Sequence, residues 1–332
     1  MKIYSREAAK ARINELAKNK KSFVFIISYD QKSSYVEELS SIDANELLVK
    51  FPHFSNAPKS CEVETESVDF SFSAPDRTAY EQSINFVKQN ICAGNSYLTN
   101  LTCKVPIETN LNLREIFLQS DALYKCWVKD CFVCFSPEIF VRIKDGRIYS
   151  YPMKGTINAS IPNATQTLLH NPKEAAEHAT IVDLIRNDLS MVAHKVRVTK
   201  FRYIDKVATN KGNILQTSSE ISGQIKSDYI DNIGDLLFRL LPAGSITGAP
   251  KKKTTEIIAA AESYNRGFYT GIMGCYKDGY LDSSVMIRFI ENEDGHYFYK
   301  AGGGITAQSN NDAEYNEVKE KIYVPIYRNN KD

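Results

Sequence analysis

Four glutamates in two short spacings are the residues of this chain best suited to chemistry. Glu174 and Glu177 lie three apart just after Asn171-Pro172, and Glu314 and Glu317 lie three apart just after Asn311. An asparagine followed by a first-turn proline opens a helix, and i, i+3 spacing puts both carboxylates of a pair on one helix face. Two such pairs facing each other would make an oxygen-only site suited to Mg²⁺, with some ligands acting through water. Two solvated acidic first turns, favoured by the helix dipole, would show the same spacing. Lys321, four residues past Glu317, fits an i, i+4 salt bridge or a cation aimed at an anionic ligand. Lys154, in Tyr151-Pro152-Met153-Lys154-Gly155-Thr156, ends an apolar stretch ahead of a glycine. Such a lysine is a solvated loop charge unless burial or nearby cations depress its pKa, which would make it a nucleophile.

Two glycine-rich segments complete the set. Residues 242–251, Pro-Ala-Gly-Ser-Ile-Thr-Gly-Ala-Pro-Lys, form a turn running into a helix, whose free N–H groups would hold a carboxylate or phosphate. This is not a nucleotide loop of the Walker type, because Ala-Pro rather than Lys-Ser/Thr follows the second glycine. Gly302-Gly303-Gly304 follow a strand-like stretch between Tyr299 and Ile305, and imply tight turning or close approach of a ligand.

The elements that must position these residues are readable in outline. The spacing predicts helices over 7–18, 80–91 (stopped at Gly94), 173–193, 229–241, 251–263 and 311–322. Strands are predicted over 22–28, 97–106, 131–143, 147–153, 267–277, 284–290 and 296–301, and residues 54–76 read as a polar surface connection. The interleaving lacks a regular βαβ rhythm, so the fold class is α+β. At 332 residues with 43% apolar and 24% charged residues, the chain has ample material for a core, in one intertwined domain over 1–331. Its net charge of +1 supplies no field for nonspecific binding to nucleic acid or anionic membranes. No apolar run approaches a membrane span, and the N-terminus has no signal-peptide core. Seven cysteines, an odd number scattered among apolar neighbours, point to a reduced, cytoplasmic protein. Cys131 and Cys134 read as part of a buried strand rather than half of a zinc site.

Taken in order, these segments resemble the chorismate-utilising enzymes, a family that includes anthranilate, aminodeoxychorismate, isochorismate and salicylate synthases. The resemblance is carried by Ser136-Pro137-Glu138, Pro152-Met153-Lys154-Gly155-Thr156, Lys173 to His178 running into Ile181 to Asp188, Gly244 to Lys251, Arg266 to Gly271, Ile287-Arg288, Ala301 to Ile305 and Ala313 to Glu317. It spans about residues 80–325, with 1–75 a shortened N-terminal part. It implies one large domain of two mainly antiparallel sheets in a sandwich surrounded by helices, with the active site in the cleft between them. It also implies Mg²⁺ held directly by Glu177 and Glu317 and through water by Glu174 and Glu314, where the metal neutralises the ring carboxylate of chorismate. Arg288, Tyr269, Lys321 and the Gly302, Gly303 and Gly304 backbone resemble the carboxylate-holding groups, with Thr247 and Gly248 from the glycine-rich turn also substrate-binding. Glu138 resembles the general acid that protonates the departing C4 hydroxyl, a role that requires a pKa raised by burial.

Within the family, Lys154 favours the aminodeoxychorismate reaction, in which this lysine attacks C2 and ammonia then enters at C4. Anthranilate synthases carry alanine there. Isochorismate and salicylate synthases use a different lysine to activate water, and its counterpart here is Leu98. The family's H-x-x-S histidine is replaced by Gln216, three residues before Ser219. No G-x-C-x-G nucleophile turn is present, so ammonia is expected from a separate glutamine amidotransferase subunit, for 4-aminobenzoate and folate formation. No L-L-E-S-like motif is present either, so inhibition by tryptophan is not expected. The competing readings are anthranilate synthase component I and a non-catalytic chorismate-binding subunit.

Overall fold

The computed structural model describes residues 1–58, 68–209 and 212–326. Among them the chain forms two nine-stranded sheets in which the strand pairings are antiparallel. The first runs Met153–Asn158, Gly212–Ile225, Arg147–Ser150, Ile139–Lys144, Tyr280–Val285, Ile272–Lys277, Phe23–Ile27 and Ser34–Glu38, with Ala193–Thr209 also paired to Gly212–Ile225. The second runs Gly248–Ala249, Leu98–Thr109, His296–Ile305, Phe289–Glu293, Phe132–Ser136, Tyr124–Val128, Leu47–Phe51 and Phe54–Ser55, with Phe70–Phe72 on Leu98–Thr109. This is the expected α+β sandwich.

Three apolar clusters explain the layering. Val24, Ile26, Leu47, Val49, Tyr124, Phe132, Met273 and Phe289 pack between the sheets. Phe23, Phe25 and Ile27 point the other way, into a second cluster with helices Arg6–Lys18, Pro172–Val192 and Ile233–Leu240. A strand buried on both faces must be apolar at every position, which is why Phe23–Ile27 reads as an unbroken hydrophobic run. The third cluster covers the second sheet with helices Arg77–Cys92, Leu113–Gln119, Lys251–Ala261 and Asn311–Glu320.

The sequence-predicted helices form, with 229–241 split into Ser227–Ile230 and Ile233–Leu240. The strands depart from expectation in an instructive way. The predicted strand 131–143 is two strands in different sheets, Phe132–Ser136 and Ile139–Lys144, and the chain changes sheet at Pro137-Glu138. Residues 284–290 do the same in reverse, leaving Tyr280–Val285 and entering Phe289–Glu293 through Met286-Ile287-Arg288. Both stretches are rich in β-branched and aromatic residues on either side of the crossing, so composition alone reads each as one strand. The two crossings are tied together: the Val285 N–H donates to the Glu138 carbonyl at 3.1 Å and the Phe135 N–H to that of Arg288 at 3.1 Å. The strand predicted at 267–277 begins only at Ile272, and the hairpin Ala193–Thr209/Gly212–Ile225 has no counterpart in the sequence-based expectation. Of the surface connection expected at 54–76, residues 59–67, with Cys61, lie outside the described residues. The other six cysteines are free thiols. No helix among the described residues is long and apolar enough to cross a membrane.

Candidate active site

A cavity of about 860 Å³ opens where the sheets meet the helices Pro172–Val192 and Asn311–Glu320. Both sheet crossings, and so Glu138 and Arg288, face it. Its wall also holds Lys154, Glu174, Glu177, Tyr269, Gly302, Gly303, Gly304, Glu314, Glu317 and Lys321. Residues scattered over more than 180 positions are thus brought together. Thr247 and Gly248 are not on the wall. Thr247 is fully buried, and Gly248 pairs with Thr99, its φ of +120° and a 1.8 Å approach of a would-be Cβ to the Leu98 carbonyl accounting for the glycine. From that segment Ser245 faces the cavity instead.

Lys154 stands at the centre of the acidic groups. Its Nζ is 2.8 Å from Glu177 Oε2, and the charges of Glu317 and Glu174 also act on it. Lys154 and Thr156 flank a break in the pairing register with Gly212–Ile225, the kind of bulge that re-aims a side chain. Gly155 makes that turn with φ +80°, and a Cβ on it would come within 2.8 Å of Glu174 Oε2. The protein's own groups alone set the Lys154 pKa upward. Burial pulls it down, but the hydrogen bond and charge of Glu177, with the charges of Glu317 and Glu174, outweigh burial and raise it. The lysine is an ammonium ion beside these carboxylates.

Glu314 is buried, and burial raises its pKa, assisted by the Glu317 charge and opposed by Ser309, Lys154 and Lys321. Lys321 bridges Glu317, at 2.7 Å, and the carbonyl of Gly302, at 2.9 Å. Gly302, Gly303 and Gly304 do not turn; they continue the strand His296–Ile305 against Leu98–Thr109. A Cβ at Gly303 would lie 3.4 Å from Glu314 Oε2, so the bare backbone leaves room directly over the acidic pair. The donors are all carboxylate oxygens, the chemistry a hard divalent cation takes. Glu174 Oε2 is buried without a hydrogen-bond partner. Among the described residues, no three acidic, histidine or cysteine side chains stand close enough together to enclose a metal ion as they are placed.

Glu138, half-buried, accepts a short hydrogen bond from Ser245 Oγ on Oε1. Burial pushes its carboxyl above the usual range, against the pull of Ser245, Arg288 and Lys321. Arg288 adopts φ +54° and stacks its guanidinium 5.6 Å over the Tyr323 ring, with a buried Nε that has no hydrogen-bond partner. No carboxylate lies within ion-pair distance of it among the described residues, which leaves a desolvated cation facing the cavity. Gln216, in the place of the expected histidine, also lines the cavity. Ser219 takes a histidine from elsewhere: His178 Nε2 lies 2.7 Å from its Oγ, and burial, with the Arg202 charge, holds that imidazole neutral with a pKa of about 4. Asn100 and Ser245 are wall residues that the sequence reading did not single out.

The profile of the chorismate binding enzymes matches residues 6–326. The chain belongs to that family. Among curated members, a Haemophilus influenzae protein called "Uncharacterized PabA-like protein" is 46% identical over 315 residues, covering 94% of this chain and 95% of its own. Aminodeoxychorismate synthase component 1 of Bacillus subtilis is 32% identical over 271 residues, covering 76% of this chain and 56% of its own. Among solved structures, anthranilate synthase component I from Streptococcus pneumoniae superposes with a TM-score of 0.71 over 91% of this chain and 80% of its own, at 20% identity. This likeness bears on the fold of the chorismate binding enzymes, whereas the cavity residues bear on which reaction this member performs.

Proposed function

We propose that this chorismate binding enzyme is the aminating component of an aminodeoxychorismate synthase. It converts chorismate and ammonia to 4-amino-4-deoxychorismate, for 4-aminobenzoate and folate formation, in the cytoplasm. The observation that carries the reading is Lys154, set 2.8 Å from Glu177 in the cavity that also holds Glu138 and Arg288. Leu98 lines the same cavity and offers no proton acceptor for activating water, which argues against an isochorismate-type reaction. The relative named component 1 supports the reading.

Glu177 and Glu317 would hold Mg²⁺ directly, and Glu174 and Glu314 through water. The ion would supply counter-charge to the ring carboxylate of chorismate. Glu177 could not hold both the ion and the Lys154 ammonium, so with the ion bound Lys154 would lose the partner that keeps it protonated and would give its proton to solvent before attack. The Lys154 amine then bonds to C2, the ring double bonds shift, and the C4–O bond breaks as Glu138 gives its proton to the leaving hydroxyl, which departs as water. Ammonia bonds to C4, the electron pairs shift back, and the C2–N bond to Lys154 breaks. A proton from the entering nitrogen restores the Glu138 acid. Arg288, Tyr269 and Lys321 hold the carboxylates while this happens.

Ammonia is expected from a separate glutamine amidotransferase subunit. With chorismate and Mg²⁺, the chain alone should make 4-amino-4-deoxychorismate from ammonium salts and fail to do so from glutamine, as read by mass spectrometry of the products. Anthranilate as the main product would replace this reading by its nearest rival. No turnover of chorismate under any nitrogen source would leave a binding subunit. Efficient use of glutamine without a partner would remove the second subunit.

A further inference from the structure

The segment 241–250 carries Ser245, whose hydroxyl donates to Glu138 Oε1. In a protonated carboxyl the oxygen accepting that bond is the carbonyl oxygen, so the acidic proton is confined to Oε2. Ser245 is held by a pair whose acidic member, Asp188, lines the same cavity, while its basic member, Lys251, does not. Lys251, the first residue of helix Lys251–Ala261, reaches back with its Nζ to the Leu240 carbonyl at 2.6 Å and to Asp188 Oδ2 at 2.8 Å. It therefore closes the two ends of the segment on each other. Asp188 belongs to helix Pro172–Val192, the helix of Glu174 and Glu177, and its Oδ2 lies 2.7 Å from where a Cβ would stand on Gly244. The carboxylate is wedged between Gly244 and Lys251. Both side chains are largely shielded, at 13% and 19% exposure. A shielded pair is rigid, and loss of one partner strands the other charge.

We infer that Asp188 and Lys251 form a positioning pair that fixes Ser245 on Glu138, and thereby directs the proton of the general acid. The inference rests on the role proposed for Glu138. The groups that face Glu138 are Ser245 from this segment, Arg288 from the second crossing and Lys321 beyond helix Asn311–Glu320. Of these only Ser245 depends on the pair. Ser245 pulls the Glu138 pKa down, so freeing the segment raises it. The alkaline limb of the rate profile, where the acid loses its proton, then moves to higher pH.

The test measures chorismate turnover against pH, with ammonium and Mg²⁺, for Ser245→Ala, Asp188→Asn, Lys251→Gln and the double variant Asp188→Asn/Ser245→Ala. Each single variant is expected to shift the alkaline limb upward by roughly one pH unit, the scale of one hydrogen bond to a carboxylate. Each is expected to lower kcat about tenfold with KM for chorismate within about twofold. The double variant is expected to match Ser245→Ala. A pair that only stabilises the fold would lower the melting temperature and leave the limb unmoved, and that result overturns the inference. Additive loss in the double variant overturns it too. If Asp188→Asn folds poorly, Lys251→Gln carries the same test from the other end. Glu138→Gln separates the two levels: an active Glu138→Gln removes the acid role, whereas an inactive one beside an unmoved Asp188→Asn profile removes the pair alone.

Discussion

Lys154→Ala is expected to lose formation of 4-amino-4-deoxychorismate by a factor of roughly a thousand or more, about 4 kcal/mol of barrier. The fold should survive. The lysine side chain is 37% exposed, so its pair with Glu177 is screened and contributes no more than about 1 kcal/mol. In a chain of this size that amounts to a few degrees of melting temperature at most. Activity and stability therefore separate by several kcal/mol, and a thermal melt beside a rate assay reads both. Lys154→Arg should be no better, because a guanidinium keeps its proton and cannot attack C2. With the lysine gone ammonia is expected to reach C2, so any residual product of Lys154→Ala should shift toward the anthranilate type. A Lys154→Ala enzyme with near wild-type rate and product would replace covalent catalysis by direct attack of ammonia at C4.

Glu177→Ala and Glu317→Ala should each lower turnover at least a hundredfold at ordinary Mg²⁺, because the ring carboxylate of the substrate loses its counter-charge. For Glu317 the stability cost is small: its partner Lys321 is four residues away on an exposed helix end, a pair worth about 0.3–0.5 kcal/mol. Glu177→Ala also removes the group that contributes most to holding Lys154 protonated, burial acting the other way. Its failure would then come from the lost oxygen ligand despite a more readily freed amine. Titrating Mg²⁺ against rate for both variants, with a chelator as the zero point, checks this. Full activity of either variant in chelator would take the metal out of the account.

Much of this was legible in the sequence, and the illegible part has physical reasons. That each glutamate pair shares a helix face is readable from a spacing of three, and the helices carrying them form where expected. The sheet crossings that present Glu138 and Arg288 are hidden, since strand-forming residues flank both and only pairing partners distinguish one long strand from two. Gly302 to Gly304 suggested a turn on propensity, but pairing with Leu98–Thr109 holds them extended. The hairpin Ala193–Thr209/Gly212–Ile225 packs Ala193, Ile221 and Ile225 against neighbours that no local window contains. That three carboxylates from two distant helices converge on the Lys154 amine is likewise invisible to any local window. No spacing rule pairs Asp188 with Lys251, and none says that Ser245 rather than Thr247 or Gly248 lines the cavity, because that is set by tertiary contacts.

The measurement that bears most directly on the central claim is intact-protein mass spectrometry of the wild-type enzyme with chorismate and Mg²⁺, ammonia withheld, followed by peptide mapping. The account predicts a species heavier by chorismate less one water, with the added mass on Lys154 and absent from Lys154→Ala, which disappears when ammonium is added and product forms. Turnover to 4-amino-4-deoxychorismate with no such species at any time, or an adduct mapped to another residue, would contradict it.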